Sequence, residues 1–220
     1  WVDDILLLGP SDSIDRVKKL LMKRFPMKDL GQPRMWTGIK IDQDEQGITL
    51  SQTHYIENIL EKFSMSDCRP QPTPAASLRL AAGPLLSQEE QQRMNRVPYR
   101  EAVGSLMWLM MSTRPDIAFA VSQVARFSHA PSPLHWTAVK RIFRYLQGTK
   151  DLALHYRQQE NPQLLGYADA DWAGDATRRS TGGHQWFFGE SLILWKSKLQ
   201  RCISLSSFES ETVQLSMAAQ

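Results

Sequence analysis

Apolar and polar positions along the chain alternate in two periods, and the switches between them mark out the elements. Val2 to Leu8 is apolar except for Asp3 and Asp4, and reads as a strand that Gly9-Pro10 ends. Ser11 or Ser13 can cap the next stretch, whose apolar positions Ile14, Val17, Leu20, Leu21 and Phe25 recur at helical spacing. Trp36–Asp42 and Gly47–Ser51 alternate like two strands, with Asp44 to Gly47 as the turn of a hairpin. Tyr55, Ile56, Ile59, Leu60 and Phe63 then fall on one face of a helix. Residues 66–98 hold five prolines and no sustained period, which predicts a long loop or linker.

Helical periodicity resumes over 99–148. Val103, Leu106, Met107, Leu109 and Met110 predict a helix apolar nearly all round, and hence buried. Arg114-Pro115 breaks it, and Pro115 suits the first turn of a second helix that turns Ile117, Val121, Val124 and Phe127 inward. A third, from about Leu134 to Gln147, buries Trp136, Val139, Phe143 and Leu146, with Gly148 as its stop. From Leu152 the period turns strand-like: 152–156, 164–168, 183–188, 191–195 and a short fifth over 202–205. A helix then opens near Ser207. Strands in succession followed by a helix predict an α+β sheet domain.

Composition changes this picture little. The chain has 220 residues, 42% apolar and 22% charged, which is ordinary for a globular protein and excludes disorder. A net charge of +3 permits nucleic-acid binding without demanding it. Cys68 and Cys202 form no metal-ligand pair, so reduced thiols in an intracellular protein are the simple expectation. The apolar run Leu106 to Met111 is far short of the roughly 20 residues of a membrane span, and no targeting signal is visible. The chain opens on Trp1 and stops at Gln220 inside a helical pattern, so both ends read as cut.

Three acidic groupings could carry chemistry. Asp3-Asp4 places two carboxylates in an apolar strand, where charge is costly unless paired or bound to a cation. Two hard oxygen ligands suit Mg²⁺; a solvent-facing turn explains them equally well. Asp169 and Asp171 lie at the end of a strand, and Glu209 and Glu211 open the helix that follows. Such carboxylates can converge on metal ions that cleave phosphodiesters. Acidic residues in a helix first turn also simply complement its dipole, and the aspartates suit a polar strand end.

Ile117 to Lys150 contains no acidic residue and carries Arg126, Lys140, Arg141, Arg144 and Lys150. Lys140 and Arg144 share a helix face opposite the buried one, a stripe suited either to phosphates or to water. Arg178, Arg179, Lys196 and Lys198 add positive charge near the acidic groups, as a polyanionic substrate would require.

In order along the chain, these blocks resemble the Pol polyprotein of copia-type LTR retrotransposons. Trp1-Val-Asp-Asp-Ile-Leu is similar to the polymerase Tyr-x-Asp-Asp motif. Asp29-Leu-Gly31, Gly38-Ile-Lys-Ile and Gly47-Ile-Thr-Leu-Ser-Gln52 resemble the palm-to-primer-grip region. Tyr99-Arg, Val103-Gly-Ser-Leu, Thr113-Arg-Pro-Asp-Ile117, His135-Trp and Lys140-Arg-Ile-Phe-Arg-Tyr-Leu-Gln-Gly-Thr149 are similar to thumb-like helices. Tyr167-Ala-Asp-Ala-Asp-Trp-Ala-Gly174, Arg178-Arg-Ser-Thr-Gly182 and Trp195-Lys-Ser-Lys198 resemble the start of the RNase H domain.

The resemblance implies an α+β architecture. A partial reverse-transcriptase palm, hairpin and first following helix would cover 1–65, a Pro-rich linker 66–98, thumb-like helices 99–150, and a truncated RNase H-like domain with a mixed sheet 151–220. It implies Mg²⁺-dependent DNA synthesis and RNA/DNA hybrid cleavage by the complete polyprotein, on primer-template or hybrid duplex. By motif, Asp3 and Asp4 are palm metal ligands, Asp169 the first RNase H carboxylate and Glu211 the helix carboxylate. The remaining ligands are expected upstream of Trp1 and beyond Gln220. The alternative is a catalytically dead remnant that acts, if at all, by binding nucleic acid or as a structural protein.

Overall fold

The computed structural model describes residues 4–76, 80–81 and 86–220, which form an α+β protein of two units. The expected strand over Val2 to Leu8 is not formed at 4–8, and its first two residues lie outside the described ones. A strand needs a neighbour to take its backbone hydrogen bonds, and the described residues of the first unit contain no other strand. Helix α1 (Ser11–Arg24) starts from Pro10, whose carbonyl accepts from the Ser13 and Ile14 amides; no serine side chain caps it. None of its residues is buried, and Leu20 on the expected apolar face is 63% exposed. Beyond it the Lys18 ammonium meets the Asp29 carboxylate at 3.0 Å, and the Gly31 amide donates to that same carboxylate.

The second unit, Met35–Gln220, opens with β1 (Met35–Trp36), β2 (Ile39–Asp44) and β3 (Gly47–Ser51). Thr37 and Gly38 both adopt positive φ, 47° and 83°, as a two-residue hairpin turn between β1 and β2 requires. At the next turn the Asp44 carboxylate accepts from the Gln46 and Gly47 amides. Gly47 must be glycine: its φ is +147°, and a Cβ would lie 2.0 Å from the Tyr156 carbonyl oxygen. Tyr156 belongs to β4 (Leu154–Arg157), which pairs antiparallel with β3. The strand expected over 152–156 therefore completes the hairpin sheet instead of joining the later strands.

The same unit holds the helical core: α2 (Thr53–Lys62), α3 (Gln88–Asn95), α4 (Tyr99–Ser112), α5 (Ala118–Ala125) and α6 (Pro133–Gly148). Ile56, Ile59 and Leu60 of α2 meet Leu106 and Leu109 of α4, Val121 and Val124 of α5, and Val139, Phe143 and Leu146 of α6. Two expectations are corrected here. Helix α4 is not buried all round: Trp108 and Met111 are 38% and 68% exposed, because its neighbours cover one side only. The segment 66–98 is not all loop either, since it contains α3. Ser87 Oγ accepts from the Glu90 amide while the Glu90 carboxylate accepts from the Ser87 amide. That Ser-x-x-Glu capping box is a signal the sequence carries.

The rest of the segment is pinned along α6. Arg144 Nε donates to the Arg69 carbonyl at 2.7 Å, Gln147 Nε2 to Ser66 at 2.7 Å, and the Gln71 amide to the Arg144 carbonyl at 3.2 Å. His135, fully buried, accepts the Ser132 amide at Nδ1, which leaves Nε2–H to donate to the Ala81 carbonyl at 2.9 Å.

A second sheet has the order β5 (Leu164–Asp171), β6 (Thr181–Phe188), β7 (Ser191–Leu199), and α7 (Ser207–Ala218) packs on it. The expected mixed sheet is antiparallel throughout. The links between its strands, 172–180 and Gly189-Glu190, are too short for the crossover a parallel neighbour needs. No strand forms over 202–205; instead the Ser204 carbonyl accepts from the Trp172 indole and its hydroxyl donates to Gln200 Oε1. No described helix is long and apolar enough to cross a membrane, and both cysteines are free thiols.

Candidate nucleic-acid and metal site

The acidic end of β5 is held against the helical core by one ion pair. Asp175, in the loop after β5, is buried, and both its oxygens face the Arg126 guanidinium at the end of α5, Oδ1 in a short contact and Oδ2 at 3.1 Å. The Thr177 amide and hydroxyl donate to Oδ2 at 2.9 and 2.6 Å. On the same side the Trp195 indole of β7 donates to the Met110 carbonyl of α4 at 2.7 Å. The Arg126 guanidinium, and secondarily Thr177, holds the Asp175 carboxyl well below the ordinary carboxylate range against the opposing effect of burial. Because the folded-state pKa is depressed, the contact stabilises the fold fully above about pH 4, the unfolded carboxyl's value, and less as pH falls below it. Asp175→Asn is therefore expected to lower the thermal midpoint at neutral pH and to approach the parent chain's midpoint near pH 2. An equal deficit at both pH values would refute this.

Asp169 and Asp171 are exposed on β5, opposite Gly183 and Thr181 of β6. Helix α7 seats on the sheet through Gln214, whose amide lies against Gly182 and meets His184 Nδ1 at 2.9 Å. Those two residues pair with Ala170 and Ala168, so α7 covers the alanine face of β5. Side chains alternate along a strand, which directs Asp169 and Asp171 to the other face. Glu211 is half-buried on α7. Asp169 and Glu211 thus stand on contacting elements without facing one another. Glu209 is used structurally: its carboxylate accepts from the Leu205 amide at 2.6 Å, and its amide donates to Ser206 Oγ.

Asp4 is exposed; Asp3 lies outside the described residues. The carboxylates suit a hard divalent cation. Among the described residues, however, no group of three or more His, Cys, Asp or Glu side chains is placed to hold a metal ion.

The expected phosphate-binding residues divide into two sets. Arg126 is committed to Asp175, Arg144 to the Arg69 carbonyl, Arg141 to Thr73 Oγ1 at 2.8 Å, and Lys150 lies 3.6 Å from Glu57. Lys140, Arg178, Arg179, Lys196 and Lys198 make no ion pair among the described residues, and the last four are exposed. Sequence reasoning missed Asp175 as the partner of Arg126. The two residues are far apart in sequence and nothing local links them.

Residues 1–77 match the family described as reverse transcriptase (RNA-dependent DNA polymerase). Over 219 residues the chain is 44% identical to a retrovirus-related Pol polyprotein from transposon TNT 1-94 of Nicotiana tabacum, covering 97% of this chain and 16% of that protein. It is 36% identical to the Pol polyprotein from transposon RE1 of Arabidopsis thaliana, covering 96% and 14% respectively. An uncharacterized mitochondrial protein of Arabidopsis thaliana is 37% identical over 221 residues, 100% of this chain and 90% of that protein. No solved structure matches. The chain belongs to the copia-type retrotransposon Pol polyprotein family, and its first 77 residues match the reverse transcriptase family. It spans about one-sixth or less of the transposon Pol polyproteins it resembles.

Proposed function

We propose that this chain works within a Pol polyprotein as the part that joins the polymerase to a hybrid-cleaving RNase H centre. Residues 1–65 would contribute the end of the palm and its hairpin, 66–98 the linker, 99–150 thumb-like helices, and 151–220 the start of the RNase H-like domain. The observation that carries the reading is the antiparallel β5–β6–β7 sheet with Asp169 on β5 and a helix bearing Glu211 packed on it. Asp3 and Asp4 would supply carboxylates for Mg²⁺ in the polymerase, and Asp169 and Glu211 for Mg²⁺ in the nuclease, with further ligands from other parts of the polyprotein. Bound metal would stabilise the attacking and leaving oxygens of phosphoryl transfer. Bringing Glu211 round to Asp169 requires α7 to reseat as further strands join the open edge of β5. The unpaired cations Lys140, Arg178, Arg179, Lys196 and Lys198 would hold the duplex by its phosphates, with little base readout.

The test uses the complete polyprotein. Asp169→Asn is expected to abolish RNA/DNA hybrid cleavage while nucleotide incorporation continues, and Asp3→Asn to do the reverse. Wild-type cleavage by Asp169→Asn would sink the nuclease assignment.

A further inference from the structure

Between α5 and α6, closed at one end by Pro74–Ala76 and at the other by the loop after β5, lies a cavity of about 550 Å³. That volume falls within the roughly 300–1,000 Å³ of small-molecule sites. Its chemistry is graded. Phe119 and Leu134 line it and are each 47% exposed, an apolar and partly aromatic wall with no partner from the core. Lys140, Arg141 and Arg144 of α6 bring positive charge to the lining. Lys140 has no ion pair among the described residues, and Arg141 Nε is buried without a hydrogen-bond partner. The lining also includes Asp171, whose carboxylate packs so closely on Gly174 that a Cβ there would lie 1.7 Å from Oδ2. Asp175, the other carboxylate, is already neutralised by Arg126.

An aromatic wall, unsatisfied cationic donors and a free carboxylate acceptor are together complementary to one class of ligand. We propose that this cavity binds a nucleotide. Its phosphate would meet Lys140, Arg141 and Arg144, its base would lie against Phe119 and Leu134, and its hydroxyl or amino donors would face Asp171. The site goes beyond the duplex-binding reading, with which it shares Lys140 alone. The nucleotide can come from two sources, a free mononucleotide or the 5′-phosphorylated end of a single strand.

Calorimetric titration of the full chain with adenosine 5′-monophosphate is expected to show saturable one-site binding. Lys140→Ala and Phe119→Ala should each weaken it about tenfold, the scale of one charge-assisted hydrogen bond for the lysine and of base–aromatic stacking for the phenylalanine. Omitting the phosphate, by using adenosine, should weaken it comparably. Neither side chain is part of the buried core, and circular dichroism checks that both variants fold. A 5′-phosphorylated tetradeoxyadenylate then decides the source: tighter binding than the mononucleotide assigns a strand end, weaker binding a free nucleotide. No saturable binding at millimolar nucleotide, or affinity unchanged in both variants, overturns the proposal. Filter binding of an RNA/DNA duplex to Phe119→Ala should be unchanged, so loss of the cavity site and failure of the duplex reading give different results.

Discussion

Arg114→Ala is expected to lower the unfolding free energy by about 3–5 kcal/mol, the usual cost of removing one partner of a buried ion pair. The Arg114 side chain is 1% exposed and ties two distant parts of the chain together. Its Nε donates to Asp116 Oδ1 at 3.0 Å and its Nη2 to Asp116 Oδ2 at 2.6 Å. On the other side Nη1 donates to the Thr149 carbonyl at 2.9 Å and Nη2 to Thr149 Oγ1 at 2.7 Å. The guanidinium also lies 5.7 Å from the Tyr145 ring centroid. Truncation leaves a carboxylate and a carbonyl without their donor at the junction of α4, α5 and the end of α6. Lysine keeps the charge but not the planar fork, so Arg114→Lys should recover only part of the loss. The double variant Arg114→Met/Asp116→Leu should be less destabilised than Arg114→Ala, because it removes both charges. Urea unfolding monitored by circular dichroism measures all three. An unchanged midpoint for Arg114→Ala would contradict the burial of the guanidinium.

Phe143→Ala is the second large effect, also about 3–5 kcal/mol. The ring is completely buried on α6 and stacks on Phe63 at the end of α2, with centroids 5.1 Å apart. Its removal opens a cavity where α2, α4, α5 and α6 meet, and a domain with 5–15 kcal/mol of total stability has little to spare. Phe143→Leu refills much of that space and should cost about 1–2 kcal/mol. The same urea titration checks the pair, with an unchanged slope required for the comparison to hold. Equal stabilities for the alanine and leucine variants would mean that volume at this position does not matter.

Helical positions were read more securely than strand partners. The face Ile56, Ile59 and Leu60 of α2, and Val139, Phe143 and Leu146 of α6, is buried as its period predicts, because a helix makes its hydrogen bonds within one segment. The strand expected over 152–156 forms over Leu154–Arg157, yet its partner lies more than a hundred residues earlier in β3. Alternation says that a strand exists and not what it pairs with. Asp3-Asp4 stands out as charge in an apolar strand, whereas Asp169 and Glu211 are marked by the motif order they share with the family. The burial of Asp175, and the capture of Arg126 by it, could not.

By itself the sequence determined the family, the identity of the acidic groupings and the helices of the core, since each is written in local motif order and periodicity. Only the tertiary structure decided that Arg114 is a buried tie, that Lys140 is left unpaired while Arg126 is spent, and that a graded cavity lies beside α6. Those properties depend on which side chains meet across long sequence separations, where packing and charge pairing act and local pattern carries no record of them.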